Sequence, residues 1–304
     1  MSVDFGFYPL RVDTHCDNFQ IKTRDDFESN VTAVNSDSRI ERDWIYPGPK
    51  ELYIFGTGTT RLLPYPSRIF GLPKTHILTH KTDDPVRCRF LIWCFGFFVG
   101  MRMSDQQAGF LDATPIKPGV SNDIVWIGDS LMIALGIADE FFASHAGVSK
   151  VELTIRAAMH SYLTSDVPTL LDYEKFVHLY TAIDACYAAH RLITGETKNA
   201  PSHKGRIAYL CEKLGLSMPW WADGNNPLVT KQRNETLHEA LFFGEPWGFS
   251  IWGGNYQSDP EQQSILLQIQ KLTCRILIAL LGIEDREYLA SSVSDRQRYG
   301  VRLK

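Results

Sequence analysis

The chain lacks an excess of positive charge: 31 lysines and arginines stand against 35 aspartates and glutamates, for a net charge of −4. That excludes a protein that coats nucleic acid over a broad basic surface, so any contact with RNA has to be local and confined to a cleft. A long apolar run is also missing. The longest, residues 90–101, is too short to cross a bilayer and reads better as a buried helix, so no membrane partner is expected. At the N-terminus Asp4 and the polar stretch from Asp13 interrupt any hydrophobic leader. The six cysteines (Cys16, Cys88, Cys94, Cys186, Cys211 and Cys274) include no Cys-x-x-Cys pair, and several occupy apolar helical positions. They read as reduced core residues of a cytoplasmic protein. Gly56-Thr57-Gly58 lacks both the third glycine of a dinucleotide loop and the Gly-Lys-Ser/Thr of a phosphate loop, which leaves a turn. No Gly-x-Ser-x-Gly or Cys/His nucleophile pattern occurs. His76 and His80 have the spacing of two ligands on a helix. Ile77 stands where a His-Glu-x-x-His site needs its glutamate, however, and the segment looks extended, so neither a metal nor another cofactor is expected.

What is present suits an ordinary globular protein: 304 residues, 44% hydrophobic and 22% charged, enough for a full core and for two domains. An α+β class is expected, with a mixed α/β domain over 1–128 followed by a helical region over 129–304. The first part is rich in Pro, Gly, Thr and aromatics. Short strands are predicted at 5–10, 52–55, 76–78, 101–103, 109–116 and 123–127, with one long helix from Pro85, capped by Asp84, to Phe98 and stopped by Gly100. Beyond 128, helices are predicted from Ser130 to Ser144, from Ser149 to Leu163, over 170–192 and 205–216, and over 262–282.

One stretch, 227–244 (PLVTKQRNETLHEALFFG), carries polar reactive groups inside a helical pattern. Asn226-Pro227 offers a cap and a first-turn proline, Gly244 and Pro246 a stop, so a helix of about four turns is predicted. Leu228, Val229, Leu237, Leu241 and Phe242 form its apolar stripe, and Lys231, Arg233, Asn234 and His238 its polar face. Asn234 and His238 lie one turn apart. Arg233 is five residues from the histidine, rotated by roughly 140° on an α-helix, and reaches it only by sweeping its long stem across the surface. An imidazole, a fixed cation and an amide on one patch suit phosphodiester chemistry: the histidine takes the 2′-hydroxyl proton or protonates the leaving 5′-oxygen, and the arginine stabilises charge on phosphorus. The plain alternative is an exposed face on which Arg233 and His238 pair with carboxylates such as Glu235 and Glu239. The loop from Gly244 to Asp259 carries Trp247, Phe249, Trp252 and Tyr256. Its aromatics either cover the end of the bundle or stack on unpaired bases, so Trp247 and Trp252, with Lys231, are candidate substrate contacts. His178 and His190, on the helix before the motif, are further histidines that could approach His238.

The run Arg233-Asn234-Glu235-Thr236-Leu237-His238 resembles the Arg-x4-6-His motif of the HEPN superfamily (higher eukaryotes and prokaryotes nucleotide-binding). The helical segments 170–192, 205–216 and 262–282 around it are similar in order to the bundle of that superfamily, closest to its ApeA-like groups. The resemblance covers roughly the last 140 residues, with the HEPN-like domain at about 165–290, and the first half has no comparable match. It implies an all-α bundle and a metal-independent endoribonuclease acting as a homodimer, in which two copies of the motif meet in one cleft. Arg233, Asn234 and His238 would be the catalytic set, and the products would carry a 2′,3′-cyclic phosphate and a 5′-hydroxyl. It further implies a toxin or antiviral, abortive-infection effector, with an antitoxin or defence-complex partner and a sensing or regulatory first domain. A non-catalytic nucleotide- or protein-binding module within a defence complex is the alternative.

Overall fold

A computed structural model describes residues 1–196, 201–222, 228–247, 265–295 and 297–304. The protein is α+β, and its chain divides into two compact units, Met1–Ser121 with Val167–Thr169, and Asn122–Asp166 with Leu170–Lys304.

The first unit is built from short strands, β1 (Ser2–Phe5), β2 (Thr14–His15), β3 (Phe19–Thr23), β4 (Ile40–Glu41), β5 (Trp44–Ile45), β6 (Pro49–Ile54), β7 (Thr59–Pro66), β8 (Ile69–Phe70), β9 (His76–His80), β10 (Phe110–Leu111) and β11 (Thr114–Pro115), with helices α1 (Phe27–Asn35) and α2 (Pro85–Val99). Its main sheet is antiparallel in the order β1-β9-β3-β2, and β9 alternates between buried and half-buried positions, so that His76, Leu78 and His80 share the buried face. Helix α2 begins and ends where sequence chemistry places it. The Asp84 carboxylate accepts from the Val86 and Arg87 amides, Pro85 fills the first turn, and Gly100 closes the helix with a φ of 65°. Nearly every residue from Phe90 to Val99 is buried, as a run apolar on all sides requires. The predicted strand 5–10 is shorter than expected. Only Phe5 remains in β1, and Gly6 instead exchanges two backbone hydrogen bonds with Ser104, just after the predicted strand 101–103. Helix α1, which buries only Phe27 and Val34, was not anticipated.

The second unit starts at Asn122 rather than 129, because β12 (Ile124–Trp126) pairs in parallel with the C-terminal β15 (Tyr299–Val301). Between them come α3 (Ser130–His145), α4 (Val151–Thr164), α5 (Asp172–Thr194), α6 (His203–Leu214), a 3-10 turn at Trp220–Ala222, α7 (Leu228–Asn234), the hairpin strands β13 (Leu241–Phe242) and β14 (Glu245–Pro246), α8 (Ile265–Leu280) and α9 (Arg286–Ala290). The two small sheets mean that this half is not purely α-helical. Helix α4 packs along α5, and α8 packs on α4, α5 and α6, burying Ile265, Ile269, Leu272, Ile276 and Leu280 at helical spacing. Arg275 on α8 is fully buried. It lies over the rings of Tyr288 and Tyr299 at 5.2 and 5.3 Å, donates to the Ser291 and Ser292 carbonyls, and stands 3.5 Å from the Asp123 carboxylate. Lys271 one turn earlier binds Asp295 at 3.0 Å, so α8 holds the C-terminal tail by two buried cations. No helix among the described residues is long and apolar enough to cross a membrane.

Candidate functional site

The stretch around the motif is not one regular helix. Helix α7 stops at Asn234, and Glu235–Glu239 form a π-helical turn closed by the Ala240 amide on the Glu235 carbonyl, five residues back. Ala240 then turns left-handed at a φ of 56° and the chain enters the β13–β14 hairpin, whose two turn residues, Phe243 and Gly244, both have positive φ. The predicted helix to Phe243 therefore ends at Glu239, and its Asn226-Pro227 start lies outside the described residues. Gln232 explains the break. Its buried side chain donates to the Thr236 hydroxyl at 3.1 Å and accepts from the Phe243 amide at 2.9 Å, tying the helix to the hairpin. The buried stripe accordingly runs through Val229, Gln232 and Thr236 to Phe242, while Leu237, expected on the apolar face, is 48% exposed. Gln232 and Thr236 are the bracing residues that a search for apolar periodicity misses.

In a π-turn residues five apart come into register, and this resolves the spacing of Arg233 and His238. The Arg233 Nη1 donates to His238 Nε2 at 3.2 Å and to Asn234 Oδ1 at 3.0 Å, so Arg233 touches both of the other predicted site residues. Guanidinium has no acceptor, so in this contact Nε2 is the receiving atom. His238 and Asn234 are exposed and Arg233 is half-buried. Among the described residues Arg233 has no carboxylate partner, and its buried Nε makes no hydrogen bond. A partly desolvated cation with an unused N–H carries an energetic cost that an anionic partner would relieve.

Helices α5 and α6 add groups that sequence reading did not connect to the motif. The Asp184 carboxylate accepts from Arg206 Nη1 at 2.8 Å and lies 3.8 Å from His203 Nδ1, and the Arg206 guanidinium sits 5.0 Å over the Tyr187 ring. Tyr180 is buried, and its hydroxyl has the Thr230 side chain as a hydrogen-bonding neighbour. Burial first, then Asp184, pushes the Tyr180 pKa up to about 12, against weaker opposing effects from Arg233, Arg206 and the nearby Thr230 hydroxyl. The His203 pKa is lowered by burial, then by Arg206, with Arg233 adding to the same direction and Asp184 opposing. Arg233 is thus an electrostatic neighbour of both side chains. No signal in the sequence would have joined these residues, because three separate helices contribute them.

The other predicted contacts stand apart from the pair. Lys231 is exposed and bound to Glu235 at 3.4 Å, one turn along. Trp247 stacks on Tyr173 of α5, rings 4.9 Å apart and 9° from parallel, which occupies one of its faces. Trp252 lies outside the described residues, as does the loop around it. His190 is buried edge-on against Tyr209 between α5 and α6, and His178 passes its carbonyl to the Ser161 hydroxyl. His76 and His80 point to the same face of β9 but are sealed separately, His76 among Phe5, Tyr8 and Phe27 and His80 against Phe19. They stand four strand positions apart, about 13 Å, too far to share one ion. None of the six cysteines forms a disulfide, and all but Cys16 are buried.

No family model matches the chain, no curated protein matches it, and no solved structure matches it.

Proposed function

We propose that the protein is a metal-independent endoribonuclease of the HEPN type, cytoplasmic and acting as a homodimer, with a toxin or antiviral effector role and an antitoxin or defence-complex partner. The observation that carries this reading is the contact of Arg233 with His238 and Asn234 on a guanidinium that has no carboxylate partner among the described residues. An arriving phosphodiester offers Arg233 charged oxygens in place of the histidine nitrogen. Charge-assisted bonds are the stronger ones, so the guanidinium moves its donors to the phosphate and releases His238 Nε2. The freed nitrogen takes the proton of the ribose 2′-hydroxyl, the 2′-oxygen bonds to phosphorus, and the bond from phosphorus to the 5′-oxygen breaks. Arg233 stabilises the charge on the phosphoryl oxygens and Asn234 orients the guanidinium. The departing 5′-oxygen needs a proton, which the same histidine of a second, two-fold related copy is suited to give. The products are a 2′,3′-cyclic phosphate and a 5′-hydroxyl.

Cleavage of total tRNA and of a mixed single-stranded RNA in EDTA tests this. Wild type cuts, and His238→Ala and Arg233→Ala, folded by circular dichroism, each lose about 10²- to 10⁴-fold in rate. Equal cutting by the variants, or none by wild type, overturns the catalytic reading. The engaged lone pair of His238 also favours a second reading, a binding module that does not cleave. RNA or nucleotide binding by wild type without cleavage, lost in Arg233→Ala, is its expected result.

A further inference from the structure

Every residue of β6 is exposed, and so is every residue of β7 except the half-buried Leu63, so neither face of this hairpin packs on a core. A two-stranded hairpin left to itself is only marginally stable in water. This one is also apolar where it meets solvent, since Leu52, Tyr53, Ile54, Phe55, Leu62 and Tyr65 are all exposed, Phe55 by 91%. At ~200 Å² for a large side chain, their exposure amounts to about 700 Å², near the ~800 Å² that each partner brings to a standard interface.

The two edges of the hairpin differ. The Ser67 amide donates inward to the Gly48 carbonyl at 2.8 Å, so by alternation Pro66 faces outward, and with Pro64 two places earlier it strips the outer edge of β7 of donors. That edge is blunted against further pairing. The single proline of β6, Pro49, stands at its first position, where a strand tolerates it. At the other end of β6 the Ile54 carbonyl accepts from the Thr57 and Gly58 amides within the hairpin. Ile54 and Leu52 therefore turn their backbone groups inward, and Tyr53 and Glu51 turn theirs outward. Among the described residues no strand pairs with that edge.

We propose that β6 pairs antiparallel with β6 of a second copy of this chain, about a two-fold axis at Leu52. This does not rest on the ribonuclease reading. Opposed residues of an antiparallel pair share a face, so a two-fold register sets odd positions against odd and even against even. Centred on Leu52, it places Glu51 against Tyr53 of the other copy and Lys50 against Ile54, each of them twice. Glu51 and Tyr53 are the residues whose amides and carbonyls face outward, so each such pair exchanges both of its backbone hydrogen bonds, and no like charges are opposed. A centre at Glu51 would set two carboxylates against each other, and a centre at Tyr53 would leave Glu51 opposite Phe55, beyond the end of the strand. The sequence of β6 thus complements itself in one register, which identifies the occupant of the edge as another copy.

Light scattering on the full-length chain tests this. Leu52→Lys sets two ammonium groups against each other at the axis and leaves the core untouched, because Leu52 is exposed. The expected mass is half that of wild type, for a variant folded by circular dichroism. Halving holds with or without the proposed dimer through the motif, which is a separate interface: four chains become two, or two become one. Cross-linking checks the register. In Leu52→Cys the two Cα atoms facing each other across the axis lie about 4.5 Å apart, within the span of a disulfide, so oxidised glutathione captures a covalent dimer. Thr60→Cys, on β7 and away from the axis, gives no more covalent dimer than wild type with its own cysteines. A monomeric wild type would give the hairpin to a different partner and overturn the pairing, as would an unchanged mass in Leu52→Lys or equal cross-linking of the two cysteine variants. Cleavage in EDTA is read separately, so the ribonuclease reading stands or falls without this result.

Discussion

His76 makes the fold of the first unit sensitive to mild acid. The ring is wholly buried at the head of β9, with the rings of Phe5, Tyr8 and Phe27 at 5.8, 5.7 and 5.7 Å and the Thr75 hydroxyl 2.9 Å from Nδ1. Burial pushes its pKa from 6.5 down to about 4, with only weak opposition from the Leu10 backbone and Asp13. The folded value lies below the unfolded one, so the unfolded chain binds the proton first. The neutral-ring contribution is complete above pH 6.5 and is lost as pH falls through about 4. The full effect is about 3.4 kcal/mol, of which about 2.4 kcal/mol is lost between pH 7 and 4.5, a large share of the stability of a typical domain. In His76→Phe the surrounding rings keep a partner of similar shape, and Thr75 still accepts the Tyr8 amide at 3.0 Å. Urea titrations at pH 7, 6, 5 and 4.5, with hydrogen exchange of the β9 peptide alongside to report on this unit, should show a steep loss for wild type and a shallow one for the variant. Parallel losses would refute the reasoning, since acid sensitivity would then lie in groups common to both proteins.

Two further substitutions probe the second unit. Arg275→Ala leaves Asp123 buried beside one cation fewer and strips the Ser291 and Ser292 carbonyls of their donor, so a loss of about 3–5 kcal/mol in denaturant unfolding is expected. Gln232→Leu leaves the Phe243 amide and the Thr236 hydroxyl without their partner, costs about 1–3 kcal/mol, and loosens the π-turn. RNA turnover should fall with it although the Gln232 side chain bonds to Thr236 and the hairpin backbone rather than to the side chains of Arg233 or His238, and unchanged turnover would mean that the hairpin does not hold the site.

How much of this was legible in the sequence depends on how far apart the deciding residues lie. Helix α2 follows from Asp84, Pro85 and Gly100, three residues whose preferences act within one turn, and the helices from α3 to α6 and α8 lie where apolar periodicity puts them, within a few residues. The parallel pairing of β12 with β15 joins positions 124–126 to 299–301, and nothing local to either strand announces it. A boundary drawn at 128 cut through that pairing. Helix α1 buries two residues out of nine and so offers almost no stripe from which periodicity could find it.

The site divides along the same line. The spacing of Arg233, Asn234 and His238 is plain in the sequence, but an α-helix puts the arginine on the wrong side of the histidine, and the sequence has no code for a π-turn. What makes the turn is side-chain chemistry across the break: Gln232 draws the Phe243 amide back toward the helix, and Ala240 adopts the left-handed conformation that lets the hairpin follow. Ala at a φ of 56° has a steric cost that glycine would avoid. A helix running on to Phe243 would have avoided it too, along with the unusual i→i+5 bond. That the chain accepts both, in the one segment where doing so brings a guanidinium onto an imidazole five residues away, argues that the Arg233–His238 contact is what the segment is shaped to make.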